Sequence, residues 1–283
     1  MDAIGLYRTP AGRQRIRDWC TARLDAWPVP HRTASVDTLL GPVHVVEAGS
    51  GPDTVVYLPG TNFNTATSLP LLTALASRCR VVSVDLPGQP GLSTSTAPAT
   101  ASWLADVLAA QAAGRPGRTV LAGHSRGGHV ALCADPAQVD GLLLLDSAGL
   151  VRVAVTPRIL RTAVPWVLQP TDARSAGLLR LMTAPGRPVD PELAAWLTMV
   201  ARDARTTGAP GPVPERCSAA WRSTPVRVVS GAADCFFPVR RLGPAVRRRL
   251  GCRLDVLPGV GHLSADEAPD VVAEHVLAVL QPG

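Results

Sequence analysis

Lysine is absent from this 283-residue chain, so arginine supplies all 28 basic side chains; set against 22 acidic residues, they give a net charge of +6. The bias reflects GC-rich coding rather than a polyanionic partner. The densest basic run, Arg240-Arg241 with Arg247-Arg248-Arg249, has no interleaved aromatics and no nucleic-acid motif, and reads as the solvated outer face of a helix over Val239–Leu250. No stretch is apolar for long enough to span a bilayer, so neither a membrane nor a nucleic acid is expected as partner. The opening MDAIGLYRTPAGR lacks a signal-peptide-like apolar run, and a cytoplasmic protein is expected. The six cysteines form no C-x-x-C pair, which argues against a zinc site or a disulfide framework and for plain thiols. His31, His44, His129 and His275 lack ligand spacing, so no metal site is expected. No internal repeat or low-complexity tract stands out.

What the sequence does contain is an alternation. The hydrophobic share of 46% and the chain length fit one large α/β domain with a substantial core. An amphipathic helix over Ala11–Trp27, with Ile16, Trp19, Cys20 and Leu24 at helical spacing, reads as an extension packed against the main domain. Two short strands follow, near Ser35–Leu39 and Val43–Glu47, with Gly41-Pro42 as their turn. Buried-type strands are then expected at Thr54–Leu58, Val81–Asp85, Thr119–Ala122, Gly141–Leu145, Val226–Ser230 and Arg253–Leu257. Helices are expected at Leu69–Arg78, Ala101–Ala113, Gly127–Cys133, Val239–Leu250 and Pro269–Leu280. Short apolar strands separated by helices imply a mostly parallel sheet covered on both faces. The alternation breaks between about Gly149 and Arg222. There Leu178, Leu179 and Met182, then Leu193, Trp196, Leu197 and Val200, recur at three- and four-residue spacing. A segment this long is more than a bare loop and reads as a helical cap over the strand ends.

The chemistry centres on Val120–Gly128, VLAGHSRGG. An apolar run ends in Gly123-His124-Ser125-Arg126-Gly127, and a helix of small residues begins. The flanking glycines permit a turn too sharp for side chains, which pushes the Ser125 hydroxyl out at its tip. The five-residue pattern alone is weak, with about 0.1 chance matches expected in a chain of this size; the strand before it and the helix after it supply the weight. A serine hydroxyl needs a base within hydrogen-bond reach, and the base needs an anion to fix its tautomer. His262, in LPGVGH beyond the last strand, is the candidate base. Asp234, in SGAAD past another strand end, is the candidate acid, and Asp146, after the strand Gly141–Leu145, is the alternative. All three elements fall at the carboxyl edge of the sheet, where open α/β proteins place their sites. Asp85 is read as a brace for its own turn, and His124 as packing that points away from the site.

These stretches resemble the α/β-hydrolase fold superfamily, in its lid-containing serine hydrolase or esterase branch. GHSRGG resembles the nucleophile elbow, GAADCFFP the acid loop and PGVGHLSADEAP the histidine loop. LPGTNFN and DLPGQPGLS resemble the loops after the third and fourth strands. The resemblance runs from about Val43 to the C-terminus. It implies a doubly wound, mostly parallel eight-stranded sheet with a helical cap between strands six and seven. The parts would be 1–148 and 223–283 for the core and 149–222 for the cap. It also implies that the backbone amides of Thr61 and Arg126 form the oxyanion hole. Pro59-Gly60 stands where the family commonly has His-Gly, a change that a backbone donor tolerates. The Arg126 side chain reads as a brace. Asn62, Phe236, Phe237, Trp166 and Met182 are candidate pocket walls, with Trp196 and Met199 as further apolar candidates in the cap.

The implied activity is cleavage of a carboxylic ester of a small apolar molecule through an acyl-enzyme, with no cofactor. The same triad serves acyl transfer, lactone chemistry or carbon–carbon cleavage in secondary metabolism, and a non-catalytic ligand receptor is the contrasting class. A serine nucleophile argues against dehalogenase and epoxide-hydrolase chemistry.

Overall fold

The computed structural model describes residues 5–94, 102–114, 116–205 and 208–281. Its strands are β1 (His31–Val36), β2 (Val43–Ala48), β3 (Thr54–Leu58), β4 (Arg80–Val84), β5 (Thr119–His124), β6 (Gly141–Leu145), β7 (Val226–Gly231) and β8 (Leu254–Leu257). They form one sheet in the order β1-β2-β4-β3-β5-β6-β7-β8. The β1–β2 and β2–β4 pairs are antiparallel, and every other pair is parallel.

The helices that cover the sheet are α2 (Leu69–Ala76), α3 (Ser102–Ala112), α4 (Arg126–Leu132), α9 (Val239–Leu250) and α11 (Pro269–Leu280), while α1 (Pro10–Asp25) packs outside them and α10 (Ser264–Glu267) lies against α2 and α11. Four more, α5 (Pro157–Leu168), α6 (Asp172–Met182), α7 (Pro191–Asp203) and α8 (Glu215–Ala219), lie in the chain between β6 and β7. The expected helix over Ala101–Ala113 matches α3, although Ala101 itself lies outside the described residues.

Strands β3, β4, β5 and β6 are buried at every position, as strands covered on both faces must be. The period of two divides their side chains between two cores. Val55 and Tyr57 join the core under α1, α2 and α11, while Val56 and Leu58 join the core under α3, α4 and α9. Each such side chain contributes about 1.5–3 kcal/mol on burial, so these two layers fix the position of every strand end.

Three local expectations need correction. The first strand is β1 at His31–Val36, not Ser35–Leu39. It is an edge strand with four of its six residues exposed, so no alternation marks its register. The N-terminal helix packs on the inserted helices as well as on the core. Trp19 stacks on Trp196 with ring centroids 4.5 Å apart, Arg15 pairs with Asp203, and Arg23 pairs with Glu192. The basic run on α9 is only partly a solvated face. Arg240, Arg241, Arg247 and Arg248 are exposed, but Arg249 is buried and donates to the carbonyls of Gly149, Leu150 and Val213. It thereby pins both ends of the inserted segment to the sheet-covering layer.

The six cysteines are free thiols. Among the described residues no helix is long and apolar enough to cross a membrane, and no cluster of His, Cys, Asp or Glu has metal-holding geometry.

Candidate active site

Strand β5 lies near the middle of the sheet and delivers Ser125 at its carboxyl end. Ser125 takes φ 50° and ψ −110°, a strained conformation for a residue with a side chain. The strain is imposed by packing. A Cβ on Gly127 would sit inside contact distance of the Leu58 carbonyl, and a Cβ on Gly123 would meet the Gly127 backbone at 2.6 Å. Strand and helix therefore approach as only glycine allows, and the serine at the apex has no relaxed alternative. Ser125 N donates to Leu145 O at 2.9 Å, tying the turn to the neighbouring strand.

The acid loop leaves β7 and the histidine loop leaves β8, and the two strands are adjacent. Ala232 N donates to Leu257 O and Ala233 N to Val260 O, both at 2.9 Å. That contact brings Asp234 and His262 together despite 28 residues of separation. His262 Nδ1 lies 3.0 Å from Asp234 Oδ2, and His262 Nε2 lies 3.1 Å from Ser125 Oγ. The other Asp234 oxygen, Oδ1, accepts from Phe236 N at 2.7 Å and Phe237 N at 3.0 Å. With Nδ1–H donating to the carboxylate, Nε2 is left as an acceptor for the serine hydroxyl.

The electrostatics follow from that line. Ser125, Asp234 and His262 are all buried, at 8%, 4% and 3% exposure. Burial alone would push the Asp234 carboxyl up, but His262 and the two phenylalanine amides outweigh it and hold the group below its ordinary value. Burial alone would push His262 down, but Asp234, aided by Asp146 and Glu267, holds the imidazole above its ordinary value. The two shifts are the two sides of one ion pair.

Asp146, the alternative acid, does not meet the imidazole ring. Its Oδ1 accepts from Gly231 N at 2.8 Å and its Oδ2 from Ser264 N at 3.2 Å. Burial, with Asp234 adding to it, pushes its carboxyl up to about 7. Asp85 receives Thr65 N and Leu92 N on its two oxygens and so braces the loop after β4.

His124 differs from expectation. Its ring does not point away but lies beside His262, with centroids 5.2 Å apart, and lines the cavity. Its Nε2 is 2.8 Å from His262 O, so the N–H donates there. Burial, then the neighbouring His262, lowers it to about 4, which keeps it neutral at physiological pH. The alternation of β5 gives its direction, but only the position of the last loop shows what it meets.

Thr61 follows β3, lines the cavity and accepts from Arg126 Nε at 3.2 Å through its hydroxyl. The Arg126 guanidinium also donates to Gly208 O at 2.7 Å, bracing the β3 loop against the inserted segment. The Arg126 amide is the first of α4, where helical geometry aims N–H groups out of the helix start. Asn62 holds a left-handed φ of 63°, and its carbonyl accepts from Trp196 Nε1 at 2.8 Å.

A cavity of about 350 Å³ opens over Ser125. Asn62, Phe236, Phe237, Trp166 and Met182 all line it. Trp196 and Met199 do not; Trp196 is spent on Trp19 and on the Asn62 carbonyl. Sequence reasoning missed one stretch of the wall, formed by Val153, Ala154 and Val155 and by Ile159, Leu160 and Ala163 of α5. Among the described residues the lining holds no acid and no arginine, and Phe236 meets His262 edge-on at 4.8 Å. The site holds a buried line of serine, histidine and aspartate side chains beneath apolar walls.

Residues 55–275 match the model of the alpha/beta hydrolase family. The chain belongs to that family. Among solved structures, carboxylesterase CesB (YbfK) from Bacillus subtilis is similar with a TM-score of 0.78 and 19% identity, covering 96% of this chain and 99% of that one. Naproxen esterase (carboxylesterase NP) from Bacillus subtilis is similar with a TM-score of 0.79 and 17% identity, covering 96% and 99%. A thermophilic esterase from Thermogutta terrifontis follows with a TM-score of 0.59 and 21% identity, covering 88% and 98%. At these identities the likeness is one of fold. No curated protein matches the chain.

Proposed function

We propose that this protein is a serine hydrolase that cleaves carboxylic esters bearing an uncharged, apolar acyl group. The observation that carries the reading is the unbroken line from Ser125 Oγ to His262 Nε2 at 3.1 Å and from His262 Nδ1 to Asp234 Oδ2 at 3.0 Å, set under an apolar cavity. The esterases of like fold are consistent with it. In this reading residues 149–222 are a helical cap on a core of 1–148 and 223–283, and the cap supplies most of the acyl wall.

The reaction balances on these residues alone. Ser125 Oγ bonds to the substrate carbonyl carbon as its proton passes to His262 Nε2, and Asp234 stabilises the imidazolium. The carbonyl oxygen becomes an oxyanion held by the Thr61 and Arg126 amides. Collapse breaks the ester C–O bond, and His262 returns the proton to the departing alcohol. Water then gives its proton to His262 and its oxygen to the acyl carbon, and the second collapse releases the acid and restores Ser125. The described cavity walls offer no counter-charge, so a charged acyl group would lose its hydration without replacement, which disfavours it strongly.

The test is turnover of a chromogenic short-chain ester. Wild-type protein hydrolyses it, and Ser125→Ala and His262→Ala reduce kcat by about 10³-fold or more. Retention of the ester without turnover by wild-type protein would identify a receptor instead.

A further inference from the structure

His262 is held by more than Asp234. The loop that carries it, residues 261–264, is anchored at three points by groups that take no part in the proposed reaction. Gly261 N donates to Glu267 Oε1 at 2.8 Å, His262 N donates to Met182 O at 2.6 Å, and Ser264 N donates to Asp146 Oδ2 at 3.2 Å. Both carboxylates have a second task. Asp146 Oδ1 accepts from Gly231 N at 2.8 Å, just ahead of the acid loop. Glu267 Oε2 accepts from Ala184 N at 2.8 Å, just past the inserted helix α6. Asp146 thus joins the loops of Asp234 and His262, and Glu267 joins the loop of His262 to the pocket wall at Met182.

The close approach needs these straps. A Cβ on Gly231 would fall inside contact distance of Gly261 O, and a Cβ on Gly261 inside contact distance of Met182 O. Three backbones therefore converge with no side chain between them, and carboxylates at either side receive their N–H groups. Asp146 also holds a left-handed φ of 42°, a conformation rare for a residue with a side chain, and it is fully buried. Strain plus the desolvation of a carboxyl group is a large combined cost for a residue with no structural or chemical task.

We propose that Asp146 and Glu267 are positioning residues for the base: a pair of carboxylates, one on each side of His262, that fix its ring between Ser125 and Asp234. The proposal rests on the hydrolase reading for its kinetic consequences but not for its geometry. The pair also acts on the ring through charge. His262 faces Asp234 after β7, Asp146 after β6, Glu267 on α10 and the neutral His124 at the end of β5, and the three acids all favour its protonated form. Asp146 itself faces Asp234, His262, Tyr57 of β3, Cys235 and the neutral His124, whose Nε2 lies 3.9 Å from Asp146 Oδ2, and Glu267 faces Asp266 and Arg187, whose Nε lies 4.0 Å from Glu267 Oε2. Glu267 acts on the ring by charge, and Asp146, pushed up to about 7, does so only to the extent that it is ionised, so removing either acid shifts His262 toward lower pH, a change that a purely structural role would not produce.

The amide variants separate the two contributions. In Asp146→Asn and Glu267→Gln the side-chain oxygen still serves one backbone N–H, while the new NH₂ faces the other and cannot accept from it. The first readout is the imidazole NMR titration of His262 in a Ser125→Ala background, which needs no turnover. The second is steady-state ester kinetics with Ser125 intact. Asp146→Asn is expected to lower the His262 midpoint by at least about half a pH unit. It is expected to lower kcat by about 10- to 100-fold, the scale of a small misplacement of a reacting group, with KM within about twofold. Glu267→Gln is expected to act in the same direction with a rise in KM, because its second oxygen holds the pocket wall. The exposed Asp25→Asn serves as the charge control and leaves both readouts in place. A His262 midpoint unmoved in both variants overturns the proposal. So does a moved midpoint with unchanged kcat in an active wild-type background, because the ring would then be held without them. If Asp146→Asn does not fold, Glu267→Gln decides on the same two readouts. Absence of ester turnover in the wild type removes the hydrolase reading but leaves the titration as the test of the cradle.

Discussion

Replacing Asp234 by asparagine exchanges one oxygen for an NH₂ group and should reverse one hydrogen bond. The surroundings decide which way the new amide points. Asp234 Oδ1 receives two backbone N–H groups, from Phe236 at 2.7 Å and Phe237 at 3.0 Å, so that position must remain an acceptor. The oxygen of the new amide would occupy it, because the opposite flip would set an NH₂ against two donors at a cost of about 1–3 kcal/mol for each unsatisfied group. The NH₂ is therefore aimed at His262 Nδ1, where the carboxylate oxygen now lies at 3.0 Å. Nδ1 becomes the acceptor, the ring proton moves to Nε2, and the base presents a proton to Ser125 instead of a lone pair. The fold stays intact while the chemistry fails. In a well-characterised serine protease the same exchange costs about 10⁴-fold in kcat, equal to about 5.5 kcal/mol of transition-state stabilisation. We expect a loss of that order here, measured as kcat on a chromogenic ester, with the thermal midpoint close to wild type. Loss of the carboxylate charge also moves the acid limb of the pH profile to lower pH. A variant within about tenfold of wild type would refute the assignment of Asp234 as the acid, and an Asp146→Asn variant more damaged than Asp234→Asn would move the role to Asp146.

Three further outcomes follow from the same geometry. The rate should rise with pH as His262 loses its proton; because that imidazole is held above its ordinary value of 6.5, kcat/KM should reach half its plateau above pH 6.5, while the Asp234 carboxylate stays ionised throughout. Gly127→Ala should abolish or severely weaken folding, read as a fall in the denaturant midpoint, since the added Cβ meets the rigid Leu58 and Pro59 carbonyls rather than a flexible side chain. Met182→Ala should enlarge the cavity wall and shift the ratio of kcat/KM values toward longer acyl chains by about tenfold, at about 2–5 kcal/mol of stability.

The interior of the sheet was legible because its strands are buried on both faces. Thr54–Leu58 and Gly141–Leu145 are uninterrupted apolar runs and were placed to the residue, as were the helices Val239–Leu250 and Pro269–Leu280. The exposed edge strand β1 slipped by four residues at its start because nothing in HRTASV distinguishes an inward face. Helix α5 gathers Arg158, Arg161 and Thr162 on one side, but Leu160, Val164, Val167 and Leu168 are exposed beside the buried Ile159 and Trp166, so its apolar residues do not mark which face is inward. Pro165 lies inside it, which from sequence reads as a break. That is why this stretch of the cavity wall was missed. Ser125, His262 and Asp234 were legible from turn chemistry after strands. The straps from Asp146 and Glu267 were not, because each depends on backbone amides from loops that are distant in sequence and meet only in the folded chain.

Active-site labelling tests the central claim most directly. A fluorophosphonate should form one covalent adduct per chain, and peptide mapping should place it on Ser125, with labelling slowed by orders of magnitude in His262→Ala. An adduct on any other residue, or undiminished labelling of Ser125 without His262, would contradict the account.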